Sequence, residues 1–395
     1  MTRNFRIFRI WGININIDWT WFLIAALITW NLGALFSQVH PNWGFSLTWG
    51  IALAAAVLFF LSVLLHELAH SVVAKSQGIP VRNIILFLFG GVSNIQEEPK
   101  SPGNEFFMAI VGPATSFVIG FLLLFIARLS AASLSFSLNS IPSALTNLSP
   151  IDTLLIWVGS TNIILGIFNM LPGFPLDGGR VLRSILWAIM DNLQQATLWA
   201  SRAGQAIAWL MIVSGIAMVF GIQLPFFGAG FINGIWLAVI GWFLNTASVQ
   251  SYQQLVIQQK LEGVPVTRLM RADLPSCSPD YSIDQLVSGY ILRRDDTAFP
   301  VKVNGDLVGV VTLDDIRKVP QKEWATTRIG EVMTPSSRVP HINSNQDAAQ
   351  ALSKLVSQDI PGLFVVENDR IAGMIRRQDI IRWLQLSDRS GPSLN

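Results

Sequence analysis

Cysteine and charged residues are scarce in this sequence. Cys277 is the only cysteine among 395 residues, so the chain has no internal disulfide and no cysteine-rich metal cluster. Any tightly bound metal would therefore need histidine and carboxylate ligands. Charged residues make up only 13% of the chain, compared with roughly 25% in an ordinary soluble domain. The net charge of +2 gives no indication of binding to nucleic acid.

The few charges are unevenly distributed along the chain. Of the 52 Asp, Glu, Lys and Arg residues, 18 lie in positions 1–259 and 34 lie in the remaining 136 residues. This distribution indicates a membrane part followed by a soluble part.

Six apolar stretches in the first part are long enough to cross a membrane, which takes about 20 residues. No small-residue cleavage site follows the first stretch, so we expect it to be retained. The sequence therefore predicts a polytopic α-helical membrane protein with about six transmembrane helices. The expected spans lie near 18–38, 47–74, 106–127 and 152–171, with two more within 203–259 that are separated near Pro225 and Gly228–Gly230.

The basic residues beside these spans predict the orientation of the chain in the membrane. If the N-terminus is cytosolic, Arg128 is the one basic residue beside a span that lies on the outer side. The soluble part is then cytosolic. The end of the second span, which bears His66 and His70, also faces the cytosol. A prokaryotic plasma membrane is the simplest setting. The nine basic residues on the cytosolic side are Arg3, Arg6, Arg9, Lys75, Arg82, Lys100, Arg180, Arg183 and Arg202.

Two short segments in the membrane part have the pattern of strands. Residues 5–17 alternate apolar and polar side chains, and residues 84–95 are typical of a β-hairpin that turns at Gly90-Gly91. Open strand edges are not tolerated in lipid, so we expect this short hairpin or sheet near the cytosolic side, buried in protein or lining a wet cavity.

The soluble part contains an internal repeat with a period of 63 to 64 residues. Thr-Arg-Leu-Met270 recurs as Gly-Glu-Val-Met333, Gly309 as Gly373, and Asp315-Ile316 as Asp379-Ile380. This pattern resembles a tandem pair of cystathionine-β-synthase-type (CBS) domains, which implies a soluble α/β module and dimerisation with a second copy of the chain. The predicted organisation is a membrane domain over 1–250, a linker over 251–263 and the CBS pair over 264–395, with repeats at about 264–320 and 327–388.

His66-Glu67-Leu68-Ala69-His70 at the end of the second span is the strongest motif in the chain. Its two imidazoles lie at positions i and i+4, on one face of a helix, where they can share a tetrahedral Zn²⁺ with Glu67 as a neighbouring base. The alternative is a pair of polar residues that only face a helix bundle. Ionisable groups at membrane depth are costly and usually functional, which favours the zinc site.

A catalytic zinc site needs a third protein ligand and an open position for water. Asp177 is the best candidate among the few carboxylates at membrane depth, because the surrounding prolines and glycines of 169–179 would unwind the end of a helix around it. A turn with an Asp cap is the alternative for this segment. The pairing with the histidine motif in a nearby span favours the ligand role.

Together these motifs resemble the site-2 protease family over residues 1 to about 250. The resemblance rests on the His-Glu-x-x-His motif, the Gly-Gly hairpin, Gly112-Pro113 and the block from Asn162 to Gly179. It implies intramembrane hydrolysis of a peptide bond in a single-span membrane protein, with one zinc held by the residues that match His66, His70 and Asp177. Ser116 is a departure, because the family often has Asn there.

The expected mechanism is amide hydrolysis by a zinc-activated water, with Glu67 as the base. Asn169 has two possible roles: it hydrogen-bonds the substrate or the oxyanion, or it only packs between helices. Gly90 and Gly91 belong to the hairpin, which would clamp an extended substrate by strand addition. Two alternatives remain: a CBS-regulated transporter or channel, and an inactive zinc-binding relative.

The CBS resemblance also implies an adenine nucleotide, ATP, ADP or AMP, as a ligand of the soluble module. The family pattern Gly-h-h-Thr-x-x-Asp, where h is an apolar residue, matches the first repeat at Thr312 and Asp315, for the phosphate and the ribose. In the second repeat, Asp379 keeps the carboxylate, but Arg376 replaces the threonine. The alternative is a structural dimerisation module without a nucleotide.

Overall fold

The computed structural model describes residues 4–88, 90–95, 98–130, 148–224, 230–291, 298–304, 306–358, 360–367 and 370–387. Within these ranges, seven helices precede residue 262. All except α5 have the length and apolar composition of membrane spans, which confirms the predicted number of six. The fifth span begins at Leu193, ten residues before the predicted stretch of 203–259. The predicted break near Pro225 and Gly228 lies outside the described residues. The helices are α1 (Trp19–Val39), α2 (Phe45–Ser76), α3 (Pro102–Ser130), α4 (Pro150–Asn169), α5 (Asp177–Met190), α6 (Leu193–Val219) and α7 (Phe231–Leu261).

Polar caps define where several of the apolar helices begin. The side chain of Asp18 accepts a hydrogen bond from the backbone N–H of Thr20 at the start of α1. Ser149 caps α4 in the same way, with Pro150 in the first turn, and Asn192 caps α6. Such caps satisfy backbone N–H groups that have no partner within the helix.

Glycines allow α3 and α4 to pack at backbone distance. A Cβ atom on Gly120 of α3 would lie 2.6 Å from the side chain of Ile163 and 2.9 Å from the backbone oxygen of Gly159, both on α4. Small residues at a helix contact are typical of membrane proteins, where dispersion forces between closely packed helices replace the hydrophobic effect. This contact fixes α3, which passes beside the histidine pair.

A four-stranded sheet packs against α2. Its strands are β1 (Asn4–Ile10), β2 (Ile13–Asp18), β3 (Val81–Phe87) and β4 (Gly90–Ile95), and they lie side by side in this order. The β1–β2 and β3–β4 pairs are antiparallel, and β2 and β3 are parallel. The buried face of β2 and β3 packs against apolar residues of α2 such as Val63, Leu64 and Leu68.

The structure corrects two details of the predicted strands. The segment 5–17 is two strands, because Trp11 and Gly12 have positive φ angles of 46° and 83° and form a turn between them. The turn of the second hairpin precedes Gly90 and Gly91, which pair with Phe87 and Leu86 as the first residues of β4.

The chain divides into two compact units, Met1–Gln253 and Gln254–Asn395. Residues 251–261 of the predicted linker belong to α7. The second unit contains two three-stranded sheets: β5 (Ala298–Val303), β6 (Asp306–Thr312) and β7 (Thr334–Pro335), and then β8 (His341–Asn343), β9 (Gly362–Glu367) and β10 (Arg370–Arg376). Its helices are α8 (Val266–Leu269), α9 (Ile283–Gly289), α10 (Leu313–Arg317), α11 (Ile329–Val332), α12 (Ala348–Ser357) and α13 (Arg377–Ser387).

The two repeats of this unit exchange edge segments. Thr334 of the second repeat pairs with β6 of the first, and Arg271 of the first repeat pairs with β10 of the second. Gly309 and Gly373 permit these contacts, because a Cβ atom there would lie 2.7 Å from the backbone oxygen of Thr334 and 2.5 Å from that of Arg271. The internal repeat is therefore a structural repeat, and the two copies form one module.

Candidate metal centre

The last turns of α2 present the His-Glu-x-x-His motif to the interior of the membrane unit. His66 and His70 are buried, and Glu67 is half-buried. The rings lie on the same side of the helix because positions i and i+4 are one turn apart.

Asp177 is the first residue of α5, which corrects the expectation that it lies on the unwound end of the preceding helix. The chain turns after α4, and Gly178 and Gly179 let the start of α5 pack directly on this turn. A Cβ atom at Gly178 would lie 2.4 Å from the backbone oxygen of Leu171, and one at Gly179 would lie 2.3 Å from the backbone nitrogen of Phe174. Only glycine fits at these two positions, which explains the Asp-Gly-Gly sequence.

The structure brings the three predicted ligand residues together. Nε2 of His66 lies 3.0 Å from Oδ2 of Asp177, and Nε2 of His70 lies 3.2 Å from the same oxygen. The two Nε2 atoms are 3.2 Å apart. Three potential ligand atoms, from α2 and α5, therefore face one another.

The other ring nitrogens of the histidines contact α3. Nδ1 of His70 lies 2.6 Å from the backbone oxygen of Met108. Because a carbonyl oxygen only accepts hydrogen bonds, Nδ1 carries the proton and the neutral ring has its lone pair on Nε2. Nδ1 of His66 lies 2.9 Å from Oγ of Ser116. Contacts of this kind orient metal-binding imidazoles in many proteins.

Gly112 of α3 leaves space for the histidine pair. A Cβ atom at this position would lie 2.1 Å from Nε2 of His70 and 2.7 Å from Nε2 of His66. No side chain larger than hydrogen fits there without moving the rings.

Glu67 contacts the hairpin formed by β3 and β4. The hydroxyl of Ser93 donates a hydrogen bond to Oε2 of Glu67 at 2.8 Å. A Cβ atom on Gly91 would lie 2.5 Å from Cγ of Glu67. The start of β4 therefore lies directly against the carboxylate, with Ser93 orienting it.

The three facing atoms fit a zinc ion. For ligands 2.0–2.1 Å from a tetrahedral Zn²⁺, the distance between two ligand atoms is about 3.3 Å, close to the 3.0–3.2 Å observed here. Two imidazole lone pairs and a carboxylate oxygen repel one another at this distance unless a cation or a proton lies among them. Nitrogen and carboxylate ligands are also those of catalytic zinc sites with three protein ligands.

Asn169 and Gly90 are the remaining predicted residues of the membrane unit. Asn169 is the last residue of α4 and is half-buried, immediately before the turn that leads to Asp177. Gly90 has a φ of 125°, and a Cβ atom added to it would meet nothing within 4 Å. Gly90 therefore faces open space at the start of β4.

The two candidate nucleotide sites of the second unit differ in their environment. The hydroxyl of Thr312 donates to Oδ2 of Asp315 at 2.7 Å, and Lys318 donates to its Oδ1 at 2.9 Å. Burial raises the pKa of the Asp315 carboxyl, but these hydrogen bonds outweigh it and lower the pKa below its usual value. In the second repeat, Arg376 donates to both oxygens of Asp379, at 3.0 and 3.2 Å. Arg271 donates to Oδ1 of Asp379 at 3.3 Å.

Sequence reasoning does not identify the residues that contact the histidine ligands and Glu67. Ser116 stands out only as a departure from a family pattern, while Met108 and Ser93 receive no role in the site. Ser93 gives no local signal, because its partner Glu67 lies 26 residues away in the sequence. Gly112-Pro113 is the available signal for α3, since a glycine within an apolar helix often marks a close approach.

Comparisons with known proteins identify families and relatives that resemble this chain. The sequence pattern of Peptidase family M50 matches residues 54–211, and that of the CBS domain matches residues 266–322 and 329–386. A protein of Synechocystis named "Putative zinc metalloprotease sll0528" is 32% identical over 390 residues, which cover 98% of this chain and 97% of the relative. "Putative zinc metalloprotease Rip3" of Mycobacterium tuberculosis is 30% identical over 381 residues, 96% of this chain and 92% of the relative. Among solved structures, the Site-2 Protease from Methanocaldococcus jannaschii is 28% identical and covers 63% of this chain and 95% of its own, with a TM-score of 0.40.

Proposed function

Because this chain belongs to peptidase family M50, the site-2 proteases, and carries two CBS domains, we propose that it is an intramembrane zinc endopeptidase. It hydrolyses peptide bonds within or near the transmembrane segment of single-span membrane proteins. The observation that carries this proposal is the convergence of His66, His70 and Asp177 beside Glu67. His66, His70 and Asp177 would hold the metal.

The reaction is the addition of water across an amide bond. When bound, zinc supplies Lewis acidity, which polarises a carbonyl group and makes water more acidic. Glu67 accepts a proton from the attacking water as its oxygen bonds to the carbonyl carbon. It then donates the proton to the leaving amine nitrogen as the C–N bond breaks. Ser93 orients Glu67 for both transfers through the hydrogen bond to Oε2.

The substrate binds as an extended strand along β4. This strand is at the edge of the sheet order β1-β2-β3-β4, and its Gly91 and Ser93 lie against Glu67. Strand addition pairs the substrate backbone with the sheet and unwinds a helix into a cleavable form. Gly90 and Gly91 begin this strand, and we propose Asn169, at the end of α4, as a further residue that borders the substrate.

The membrane orientation places the N-terminus and the CBS pair in the cytosol of a prokaryotic cell. The basic residues named above carry this proposal through the bias of Lys and Arg towards the cytosolic side. Arg3 lies outside the described residues. Arg183 is buried in an ion pair, but eight cytosolic residues against Arg128 still give the same orientation.

The CBS pair regulates cleavage by binding an adenine nucleotide at Thr312 and Asp315, and it mediates dimerisation. The environments of the two carboxylates support the first repeat as the better site, because Asp379 is paired with two arginines, one of them buried, whereas Asp315 is paired with the exposed Lys318. A nucleotide acts only through different affinities for two states of the protein, which limits the coupling to roughly 1–3 kcal/mol.

Reconstitution with a single-span reporter substrate tests the proposed function. We expect fragments whose new ends map within or next to the span, and loss of these fragments when a chelator removes the metal. A CBS-regulated transporter or channel, or an inactive zinc-binding relative, would leave the reporter intact. An uncleaved reporter across several single-span sequences, with stoichiometric zinc bound, would contradict the proposal.

A further inference from the structure

A buried cluster of charged residues lies next to the metal centre, on elements that also carry its ligands. Arg183 is 3% exposed and Glu105 is fully buried. Nε of Arg183 donates to Oε1 of Glu105 at 2.6 Å, and its Nη2 donates to Oε2 of Glu98 at 2.7 Å. Nε of Arg180 lies 3.8 Å from Oε1 of Glu105.

Arg183, Glu105 and Glu98 lie on three different segments, each of which also contributes to the metal site. Arg183 lies on α5, six residues after Asp177. Glu105 lies on α3, three residues before Met108, whose carbonyl oxygen contacts His70. Glu98 lies in the segment that connects β4, the strand that contacts Glu67, to α3.

We infer that Arg183 is a positioning residue that sets Asp177 against the histidine pair by fastening α5 to α3 and to the segment after β4. This inference rests on the proposed function, because it assigns Arg183 a role in holding the zinc site. Arg183 itself does not contact the three ligand side chains in the described structure.

The chemistry of arginine suits this role. A guanidinium is planar and presents its donors in fixed directions, so a single side chain fixes the relative positions of two carboxylates. A buried charge also has to keep its partners, because an unpaired charge is strongly unfavourable away from water. The Phe174 ring, in the turn before Asp177, lies 5.3 Å from the guanidinium carbon and packs against it. The cluster therefore resists displacement of α5 in more than one direction.

The charge state of Glu98 supports a permanent ion pair with Arg183. Burial raises the pKa of the Glu98 carboxyl, but Arg183 and Arg180 outweigh this effect and hold the pKa below its usual value. Glu98 is therefore ionised at neutral pH, and its attraction for Arg183 persists across the physiological range.

The test compares the zinc affinity of full-length Arg183→Gln and Arg183→Lys with that of the parental protein in detergent. Competition with a chromogenic chelator gives the dissociation constant. We expect Arg183→Gln to bind zinc roughly tenfold more weakly, at the low end of the range for direct partners of metal ligands, because Arg183 acts one contact further from the metal. Arg183→Lys should recover part of this loss, because lysine keeps the charge but not the planar fork. Arg202→Gln, at an exposed arginine of α6 that lies over the Trp199 ring, is the control with the same chemical change, and we expect it to alter zinc affinity by less than about threefold.

A second measurement separates positioning from general stability. The melting temperature of the zinc-free proteins reports stability alone, and zinc affinity is compared at a temperature where all variants are folded. Unchanged zinc affinity in Arg183→Gln, with or without a lower melting temperature, would overturn the inference. If Arg183→Gln does not fold, Glu98→Gln and Arg183→Lys replace it. The inference is then overturned if both variants bind zinc as tightly as the parental protein. A parental protein that binds no zinc would instead contradict the proposed function.

Discussion

Nδ1 of His70 donates a hydrogen bond to the backbone oxygen of Met108 at 2.6 Å. This bond leaves the Nε2 lone pair of His70 directed at Oδ2 of Asp177 and Nε2 of His66. Because the acceptor is a backbone atom, no side-chain substitution at position 108 removes it directly. The orientation of the metal-binding ring is thus fixed by the path of α3, and substitutions on α3 should affect the metal.

Gly112→Ala should weaken zinc binding on the order of 100-fold. The added Cβ atom would lie 2.1 Å from Nε2 of His70, so the ring must leave its place. Gly103→Ala, in the first turn of the same helix, is the control, because its Cβ atom meets nothing within 4 Å. Zinc titration of both variants checks this. Equal affinities would show that the rings are not confined by α3.

Ser116→Ala should lower zinc affinity by about 10- to 100-fold, because His66 loses the partner of its Nδ1 atom. Thr115→Val is the matched control, since the Thr115 hydroxyl bonds only to the backbone oxygen of Val111 in the described structure. The zinc dissociation constants of the two variants decide the matter. A larger effect at Thr115 than at Ser116 would contradict the role of Ser116.

Ser93→Ala should reduce the cleavage rate by about 10- to 100-fold while leaving zinc affinity unchanged. The variant removes the hydrogen bond to Oε2 of Glu67, and a hydrogen bond to a charged group is worth roughly 1.5–3 kcal/mol. Ser76→Ala at the exposed end of α2, which bonds to Val73, serves as the control. Steady-state cleavage of a reporter together with metal analysis measures both properties. Loss of zinc from Ser93→Ala would place Ser93 in the metal site instead.

Asp315→Asn should weaken binding of an adenine nucleotide to the full-length protein by at least tenfold, whereas Asp379→Asn should change it by less than about threefold. The Asp315 carboxylate accepts hydrogen bonds from Thr312 and Lys318. The Asp379 carboxylate is instead paired with Arg271 and Arg376. Calorimetric titrations with ATP, ADP and AMP test this. No heat with any of the three at millimolar concentration would leave the CBS pair as a structural module.

The sequence predicted those features that depend on a single element. Each apolar stretch needs about 20 residues to cross the membrane, so the six helices could be counted directly. The spacing of His66 and His70 likewise follows from the geometry of one helix. Asp177 is predicted as the third ligand because few carboxylates lie at membrane depth, and the structure brings it beside the histidine pair.

Features that depend on contacts between distant segments could not be predicted from one sequence. The bond between His66 and Ser116 joins residues 50 positions apart, and the parallel pairing of β2 with β3 joins segments separated by two helices. No local pattern encodes such pairings. The position of the second turn was misjudged because Gly90-Gly91 has the composition of a turn, although both residues lie in the strand ladder.

The helix α5 was missed although its sequence carried a signal. Val181, Leu182, Ile185 and Ile189 have the spacing of a helix with an apolar face, but the segment is too short for a membrane span. Arg183 was counted as a cytosolic charge for the orientation. The structure instead places it between Glu98 and Glu105, so a basic residue beside a span is not always a surface charge.

Glu67→Gln gives the most direct test of the proposed zinc protease. The substitution keeps the size of the side chain and all three ligand residues but removes the base, which contributes roughly 10²- to 10⁴-fold to the rate. Zinc content by elemental analysis and cleavage of a single-span reporter are measured on the same preparation. We predict one zinc per chain in both proteins and at least a hundredfold slower cleavage by Glu67→Gln. Cleavage by Glu67→Gln at the parental rate would contradict the account.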